Sequence, residues 1–394
     1  MTRAAAVLLT VALGAASHAA DPPLITHTTD RNDYTIRFQV FIKPSRDASA
    51  DRFALTMADI YFPFIESTSS STGDPNSIRT QFWWRKQIAT EEFRILPAVP
   101  GFGRFGAVEF RADRFAFRGA GVPSLDQTVT EEVRFQYEFA SVNRETVFDE
   151  KRAAQIPWPQ EFPPELRAWL QPEVLIQSTH PAIVALVNEW TGANPRALGP
   201  VMLAKQLCGH VVDHMMPTEP AFGNNTRGGI AGIDVQGAAF AAVEKSGSVF
   251  DMAALLVAVY RAAGIPARLV VGLDVERTNR QRTPAFQAWV EFALLDPSDN
   301  RVEWIPVDVV RQRSFSSRAP RINQPWEYFG NNRFLDTAMP LSFHFHPPDR
   351  AVGSGGIVSF NAHALWGWTP SPLIAEMDQT LNIVVMGTPQ RGGR

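Results

Sequence analysis

Residues 247–268 read GSVFDMAALLVAVYRAAGIPAR, and this stretch decides the fold. Residues 252–263 are apolar nearly all round, which is typical of a helix buried in the centre of a domain. Ser246 and Ser248 offer side chains that cap the start of a helix. Gly264 suits the position just after a helix end, and Pro266 forces the chain into an extended exit. The stretch therefore predicts a buried central helix.

Strand patterns follow this helix. Residues 269–272 form a short apolar run, as expected of a buried strand. Residues 288–292 and 302–307 alternate well enough to be two more strands, and residues 296–300, DPSDN, form a strong turn signal between them. The sequence thus predicts one helix packed on an antiparallel sheet.

Together these segments resemble the transglutaminase-like superfamily, whose members share a papain-type Cys-His-Asp core. The family pattern is Gly-x-Cys-x-Asp-x-Ala, then Gly-Ile-Pro-Ala-Arg at the helix end, His-Ala-Trp-Val-Glu on one strand and Trp-x-Pro-x-Asp on the next. The resemblance covers residues 170–312, and the Gly-Ile-Pro-Ala-Arg block with its helix is its most specific part. It implies an α+β fold with a papain/transglutaminase-like core.

Two of the three catalytic positions of that pattern are altered. Val249 stands at the nucleophile position and Gln287 at the general-base position, so only Asp308 remains. Valine has no nucleophile, and an amide does not titrate near neutral pH, so neither residue can replace a Cys-His pair. We predict a degenerate triad in an intact frame. Its cleft would be lined by Ser248, Gln287 and Trp289 as candidate binding residues.

A relocated nucleophile is the alternative. Cys208 is the only cysteine, and it lies in residues 201–214, whose apolar spacing predicts a helix. Its base would be His210 or His214 on the same helix. A buried, inert thiol is the simpler interpretation, because free cysteine is among the most buried residue types.

Two histidine pairs have a spacing that can bind a metal ion. His210 and His214 are four residues apart and share a helix face, and His344 and His346 could share a strand face. Neither pair has a third ligand nearby in the sequence, whereas metal sites usually have three or four. We expect no metal and no cofactor.

The N-terminus predicts export. Residues 1–19 have the form of a signal peptide: Arg3, then a short apolar segment, then small residues at the cleavage site. No later stretch is apolar over the length of a membrane span. The mature chain is expected to be soluble, in a periplasm or outside the cell. With 37 Lys and Arg against 40 Asp and Glu, and no basic stripe, we expect no nucleic-acid partner.

The organisation predicted along the chain has five parts. They are a signal peptide (1–19), a β-sandwich-like domain (21–150), a proline-rich linker (151–175), the core (176–312) and a β extension packed on the core (313–394). Within the β-domain, residues 67–75 are expected to form a solvated loop. In the core, a helix containing residues 181–187 is expected to be capped by Ser178 or Thr179.

The sequence is compatible with three functions. The first is a non-catalytic transglutaminase-like protein that binds a protein or peptide, or acts as a scaffold. The second is a purely structural or assembly role carried by the aromatic-rich β-domain. The third is an amidase, peptidase or acyl transferase that uses Cys208. The residues present argue against ordinary Cys-His catalysis without deciding whether the protein is an enzyme.

Overall fold

The computed structural model describes residues 22–44, 57–84, 86–95, 104–111, 132–218, 222–224, 230–343, 345, 352–353, 356–357, 362–363, 366–371 and 377–387. The predicted signal peptide and the His344–His346 pair lie outside these residues. In the described parts of the chain, no helix is both long and apolar enough to cross a membrane.

The helices are α1 (Glu150–Ala153), α2 (Pro164–Arg167), α3 (Pro181–Thr191), α4 (Pro200–His214), α5 (Ala238–Glu244), α6 (Val249–Ala262), α7 (Val275–Gln281) and α8 (Val309–Phe315). The first seven strands are β1 (Ile25–Pro44), β2 (Met57–Phe64), β3 (Ser71–Trp84), β4 (Gln87–Ala89), β5 (Arg94–Ile95), β6 (Arg104–Arg111) and β7 (Val133–Phe148). Those of the middle of the chain are β8 (Met216–Pro217), β9 (Phe222–Asn224), β10 (Ile230–Asp234), β11 (Ser246–Gly247), β12 (Ala267–Asp274), β13 (Phe286–Asp296), β14 (Arg301–Val307) and β15 (Ala338–Ser342). The last are β16 (Val352–Gly353), β17 (Gly356–Ile357), β18 (Ala362–His363), β19 (Gly367–Ser371) and β20 (Met377–Met386).

The N-terminal strands form two facing sheets. The larger sheet has the order β18-β10-β20-β1-β7-β3-β4, with β9 paired to β10, and the smaller has the order β19-β2-β6-β5. Phe62 of β2 lies between the sheets, with its ring 4.9 Å from that of Phe135 and 5.0 Å from that of Tyr137, both in β7. The predicted β-sandwich is therefore confirmed, and its rings form a core between the sheets.

The central helix α6 is buried along nearly its whole length, as predicted. It packs against β12 and β13 of the antiparallel sheet β14-β13-β12-β15, with Tyr260 edge-on to Phe292 of β13. Its end follows the expected glycine geometry, since Ala263 is the C-cap and Gly264 has a φ of +84°. The α+β class and the helix-on-sheet core are confirmed.

The C-terminal segment differs from the predicted β extension packed on the core. Strand β15 does join the core sheet beside β12, but β19 pairs with β2 and β20 pairs with β1 across the sandwich. Strand β10, which precedes the central helix, also enters the larger N-terminal sheet. The sandwich is thus built from three separated parts of the chain, because strand pairing depends on contacts that a local pattern does not specify.

Two local predictions were wrong. His180, not Ser178 or Thr179, is the N-cap of α3, because Pro181 is tolerated as the first helical residue and the His180 ring accepts the N–H of Ala182. Residues 67–75 are not a solvated loop. Ser69 is buried, and β3 already begins at Ser71.

The linker is anchored by the central helix. Arg261, near the end of α6, donates to the carbonyl oxygens of Gln171 and Ala267 at 2.6 and 2.9 Å. Its guanidinium also pairs with the carboxylate of Glu173 at 2.7 Å, with both side chains buried. This part of the proline-rich segment is therefore fixed against the core.

Candidate functional site

The start of α6 is organised by reciprocal capping. The backbone N–H of Asp251 donates to Ser248 Oγ at 3.2 Å, while the N–H and hydroxyl of Ser248 both donate to Asp251 Oδ2 at 2.8 Å. Ser248 is therefore a buried N-cap whose hydroxyl is already engaged. Val249 is the first helical residue and is half-buried against the main hydrophobic core.

Asp251 also ties the helix start to the segment before α5. Its second oxygen, Oδ1, accepts the N–H groups of Gln236 and Gly237 at 2.8 and 2.7 Å. A carboxylate with this many donors is fully used in structure. The aspartate that follows the nucleophile position thus positions the helix.

Gln287 lies on strand β13 of the core sheet, and Asp308 lies just after the end of the neighbouring strand β14. Gln287 is in β13, opposite Gly272 of β12, and is half-buried. Asp308 directly follows β14 and is the N-cap of α8, where its Oδ1 accepts the N–H of Arg311 at 2.9 Å. Its Oδ2 accepts an N–H of the Asn332 side chain at 3.3 Å. The sheet therefore brings the aligned base and acid positions to one region.

The group between them is the guanidinium of Arg311, which the sequence interpretation missed. Arg311 Nε lies 3.3 Å from Asp308 Oδ2, and its Nη2 donates to Gln287 Oε1 at 3.5 Å. The same Nη2 lies 3.4 Å from Asp274 Oδ2, and the guanidinium carbon lies 4.1 Å from the centre of the Phe334 ring. Gln287 and Asp308 are thus connected through a fixed cation.

The electrostatics of this arrangement are those of a salt bridge. Burial raises the pKa of Asp308, while the charge and the backbone N–H of Arg311 act in the opposite direction. A guanidinium keeps its proton at all physiological pH values, and an amide has none to exchange. Gln287 and Arg311 therefore offer no group that can pass a proton back and forth near neutral pH, and the only titrating group of the three is Asp308, whose pKa is raised by burial.

Trp289 does not line an open cleft. Its ring is 1 % exposed and packs with Ile65 of the N-terminal domain and with Val270, Leu335 and Ala338. A Cβ on Gly272 would stand 2.6 Å from a ring carbon of Trp289, so this close packing needs a glycine there. The candidate binding role of Trp289 has no accessible surface to act through.

The face of β13 that carries Gln287 and Trp289 is also covered at Glu291, further along the strand. Glu291 accepts the N–H and hydroxyl of Ser69 at 2.8 and 2.6 Å on Oε1. Its Oε2 accepts Nε and Nη2 of Arg268 at 2.8 and 2.5 Å. Residues 287, 289 and 291 alternate onto one face of the strand. That face is thus occupied by Arg311, by Ile65 and its neighbours, and by Ser69 with Arg268.

Cys208 is fully buried in α4. Burial raises the pKa of its thiol, and the negative charge of Asp308 adds to the effect while Lys205 opposes it. The thiol therefore stays protonated and inaccessible, which is the opposite of an activated nucleophile.

His210 and His214 are engaged with another side chain. The ring of Trp190 stacks on His210 at 5.1 Å and lies edge-on to His214 at 5.5 Å. His214 Nε2 lies 3.0 Å from the carbonyl oxygen of Ala242. Within the described residues no cluster of three potential metal ligands is found. The structure thus brings Gln287 and Asp308 together and leaves these histidines in a separate aromatic contact.

Comparison with known proteins agrees with the core fold. Residues 230–309 match the family model described as the transglutaminase-like superfamily. No curated protein matches the chain.

Two solved structures are similar. A candidate cysteine protease from Cytophaga hutchinsonii matches with a TM-score of 0.52 and 12 % identity over 92 % of this chain and 93 % of its own. The periplasmic domain of TgpA from Pseudomonas aeruginosa matches with a TM-score of 0.27 and 16 % identity over 75 % of this chain and 94 % of its own. The first of these likenesses extends over nearly the whole chain, and it shows the fold. The buried helix and its strands agree with the family match, so residues 230–309 of this chain are similar to the core of the transglutaminase-like superfamily.

Proposed function

We propose that this chain is an exported transglutaminase-like protein without catalytic activity, whose core acts as a scaffold. The observation that carries the proposal is Arg311, which connects Gln287 to Asp308, while Val249 stands at the start of α6. Acyl transfer by this kind of site requires a thiolate, a titrating base and a carboxylate that orients it. The first two are missing, and the third is held in a salt bridge.

Scaffolding is supported over peptide binding in the groove by the covered face of β13. An extended ligand needs exposed backbone groups or open pockets beside a strand. Here Trp289 and Glu291 are both buried under residues of the N-terminal domain. The core would hold the β-sandwich in a fixed position and present surfaces of that sandwich to a protein partner.

Export is part of the same proposal and rests on residues 1–19 of the sequence. The mature chain would act in a periplasm or outside the cell.

Activity assays test the central claim. The mature chain and its Cys208→Ala variant are incubated with casein, and peptide release and incorporation of dansylcadaverine are followed. We expect no turnover from either protein. Turnover that disappears in Cys208→Ala would overturn the proposal in favour of a relocated nucleophile, and turnover that survives would place catalysis elsewhere.

A peptide array tests the scaffold against the groove-binding form. Labelled wild type and Gln287→Ala are applied to immobilised random peptides. A scaffold with a covered strand should show no binding that depends on Gln287. Binding lost in Gln287→Ala would instead indicate a peptide-binding groove at this position.

A further inference from the structure

Arg311 is connected to its surroundings in an unusual way for a structural arginine. A guanidinium in a strong ion pair usually faces one carboxylate through two parallel N–H bonds. Arg311 instead makes single contacts of 3.3 to 3.5 Å to three different side chains: Asp308, Asp274 and Gln287. The ring of Phe334 supports its face, and the side chain remains 27 % exposed. Arg311 therefore bridges three side chains and does not form a bidentate ion pair with one carboxylate.

Three donors already engage the carboxylate of Asp308. Oδ1 accepts the N–H of Arg311, and Oδ2 lies within reach of Arg311 Nε and Asn332 Nδ2. A ring at position 287 would have to orient itself against one of these oxygens. With Arg311 present, an imidazole at position 287 would lie next to the guanidinium and not next to the carboxylate of Asp308.

We infer that Arg311 is a positioning residue that has taken the place of the imidazole between position 287 and Asp308. It stabilises Asp308 in the absence of a histidine and keeps the site closed to acid–base chemistry even where a histidine is restored. The inference rests on the proposed absence of catalysis and adds Arg311 to its causes, beside Val249 and Gln287.

The charges facing position 287 decide what a restored histidine would experience. Arg311 of α8 and Asp274 at the start of α7 lie next to Gln287, and Asp308 lies behind Arg311. Tyr328 interacts electrostatically with Arg311 and Asp308, and Arg333 lies over the same Phe334 ring as Arg311. A nearby cation disfavours a protonated imidazole, whereas a nearby carboxylate favours it. Removing the guanidinium would therefore reverse the dominant influence on the ring.

The test is the pKa of an imidazole introduced at position 287. Gln287→His and Gln287→His/Arg311→Ala are prepared with labelled histidine, and the new resonance is found by comparison with wild type and titrated by NMR. We expect a pKa below the usual 6.5 or so in Gln287→His, and a rise of at least about one unit when Arg311 is also replaced. A merely structural arginine would change stability without this shift.

Arg313 provides the matched control. It lies on the same helix but donates to the carbonyl oxygen of Met215, away from Gln287. Gln287→His/Arg313→Ala should therefore titrate like Gln287→His. Equal pKa values with and without Arg311 would overturn the inference, as would a pKa above 6.5 while Arg311 is present. Failure of the proposed function would appear separately, as turnover by the wild-type protein.

Discussion

Glu291 of the core strand β13 binds Ser69 of the N-terminal domain through both the backbone N–H and the hydroxyl, at 2.8 and 2.6 Å. Its other oxygen is bound by Arg268, whose guanidinium lies between the rings of Trp304 and Phe343 at 3.9 and 4.2 Å. Since Glu291 is 0 % exposed, this contact fixes the two domains together through a fully desolvated charge. Glu291 and Arg268, which both lie in the family-like segments, thus form the polar contact that connects the core to the N-terminal domain.

Replacing Glu291 should weaken the contact between the core and the N-terminal domain. In Glu291→Gln, the buried guanidinium of Arg268 loses its counter-charge, and such a loss costs about 3–5 kcal/mol of stability. We expect a decrease of that size in the free energy of unfolding, measured by urea denaturation. The N-terminal domain should also become more accessible to proteolysis than in wild type.

Glu327→Gln is the control for this variant. Glu327 pairs with Arg333 on the surface, where both side chains are well exposed, so its loss should change stability by less than about 1 kcal/mol. Equal effects of the two substitutions would show that the Glu291 contact does not hold the domains together.

Ser248 should contribute to the stability of the fold and should not act as a nucleophile. Because its hydroxyl caps α6, Ser248→Ala should lower the free energy of unfolding by about 1 kcal/mol. Ser314→Ala is a suitable comparison, since that exposed hydroxyl only donates to the carbonyl oxygen of Val310 and should matter by less than about 0.5 kcal/mol. Labelling of wild type by a fluorophosphonate probe, lost in Ser248→Ala, would contradict this assignment.

The central helix and its strands could be predicted because their signals are local. Ser248 at the cap, Gly264 past the end and the DPSDN turn at 296–300 each report on a few neighbouring residues. The degenerate positions Val249 and Gln287 could be found for the same reason, as each lies inside such a segment.

Arg311 could not be found in this way. Its contact with Gln287 spans 24 residues and depends on how β13 and α8 are placed. The only local signal was an arginine three residues after Asp308, in the first turn of α8, and a lone arginine does not indicate which distant side chains it contacts. The pairing of β1 with β20, such as Thr35 with Met386, is still more distant in sequence and leaves no local trace.

Cys208 should be protected from alkylation while the chain is folded. Since the thiol is fully buried and its pKa is raised, iodoacetamide can reach it only after the structure opens. We expect it to react at least about a hundredfold more slowly in native buffer than in guanidinium chloride, the factor expected if opening costs about 3 kcal/mol. An exposed thiol introduced by Ser317→Cys in a Cys208→Ala background should react at similar rates in both. Equally fast labelling of native Cys208 would show that the thiol is accessible, as the relocated-nucleophile alternative requires.

The partial burial of His210 and His214 should make stability depend on pH. Burial is the main influence on both rings and lowers their pKa values, although Asp213 and Glu189 act in the opposite direction on His210. A histidine whose pKa is lower in the folded state binds protons more readily when unfolded, so the stability it contributes is lost as pH falls through its usual value near 6.5. We expect the double variant His210→Gln/His214→Gln to lose less stability than wild type between about pH 7.5 and about pH 5. Urea denaturation at both pH values measures the difference, and groups common to both proteins, such as Asp308 with its raised pKa, cancel in it. If wild type and the double variant lose equal stability on acidification, the two histidines are not its cause.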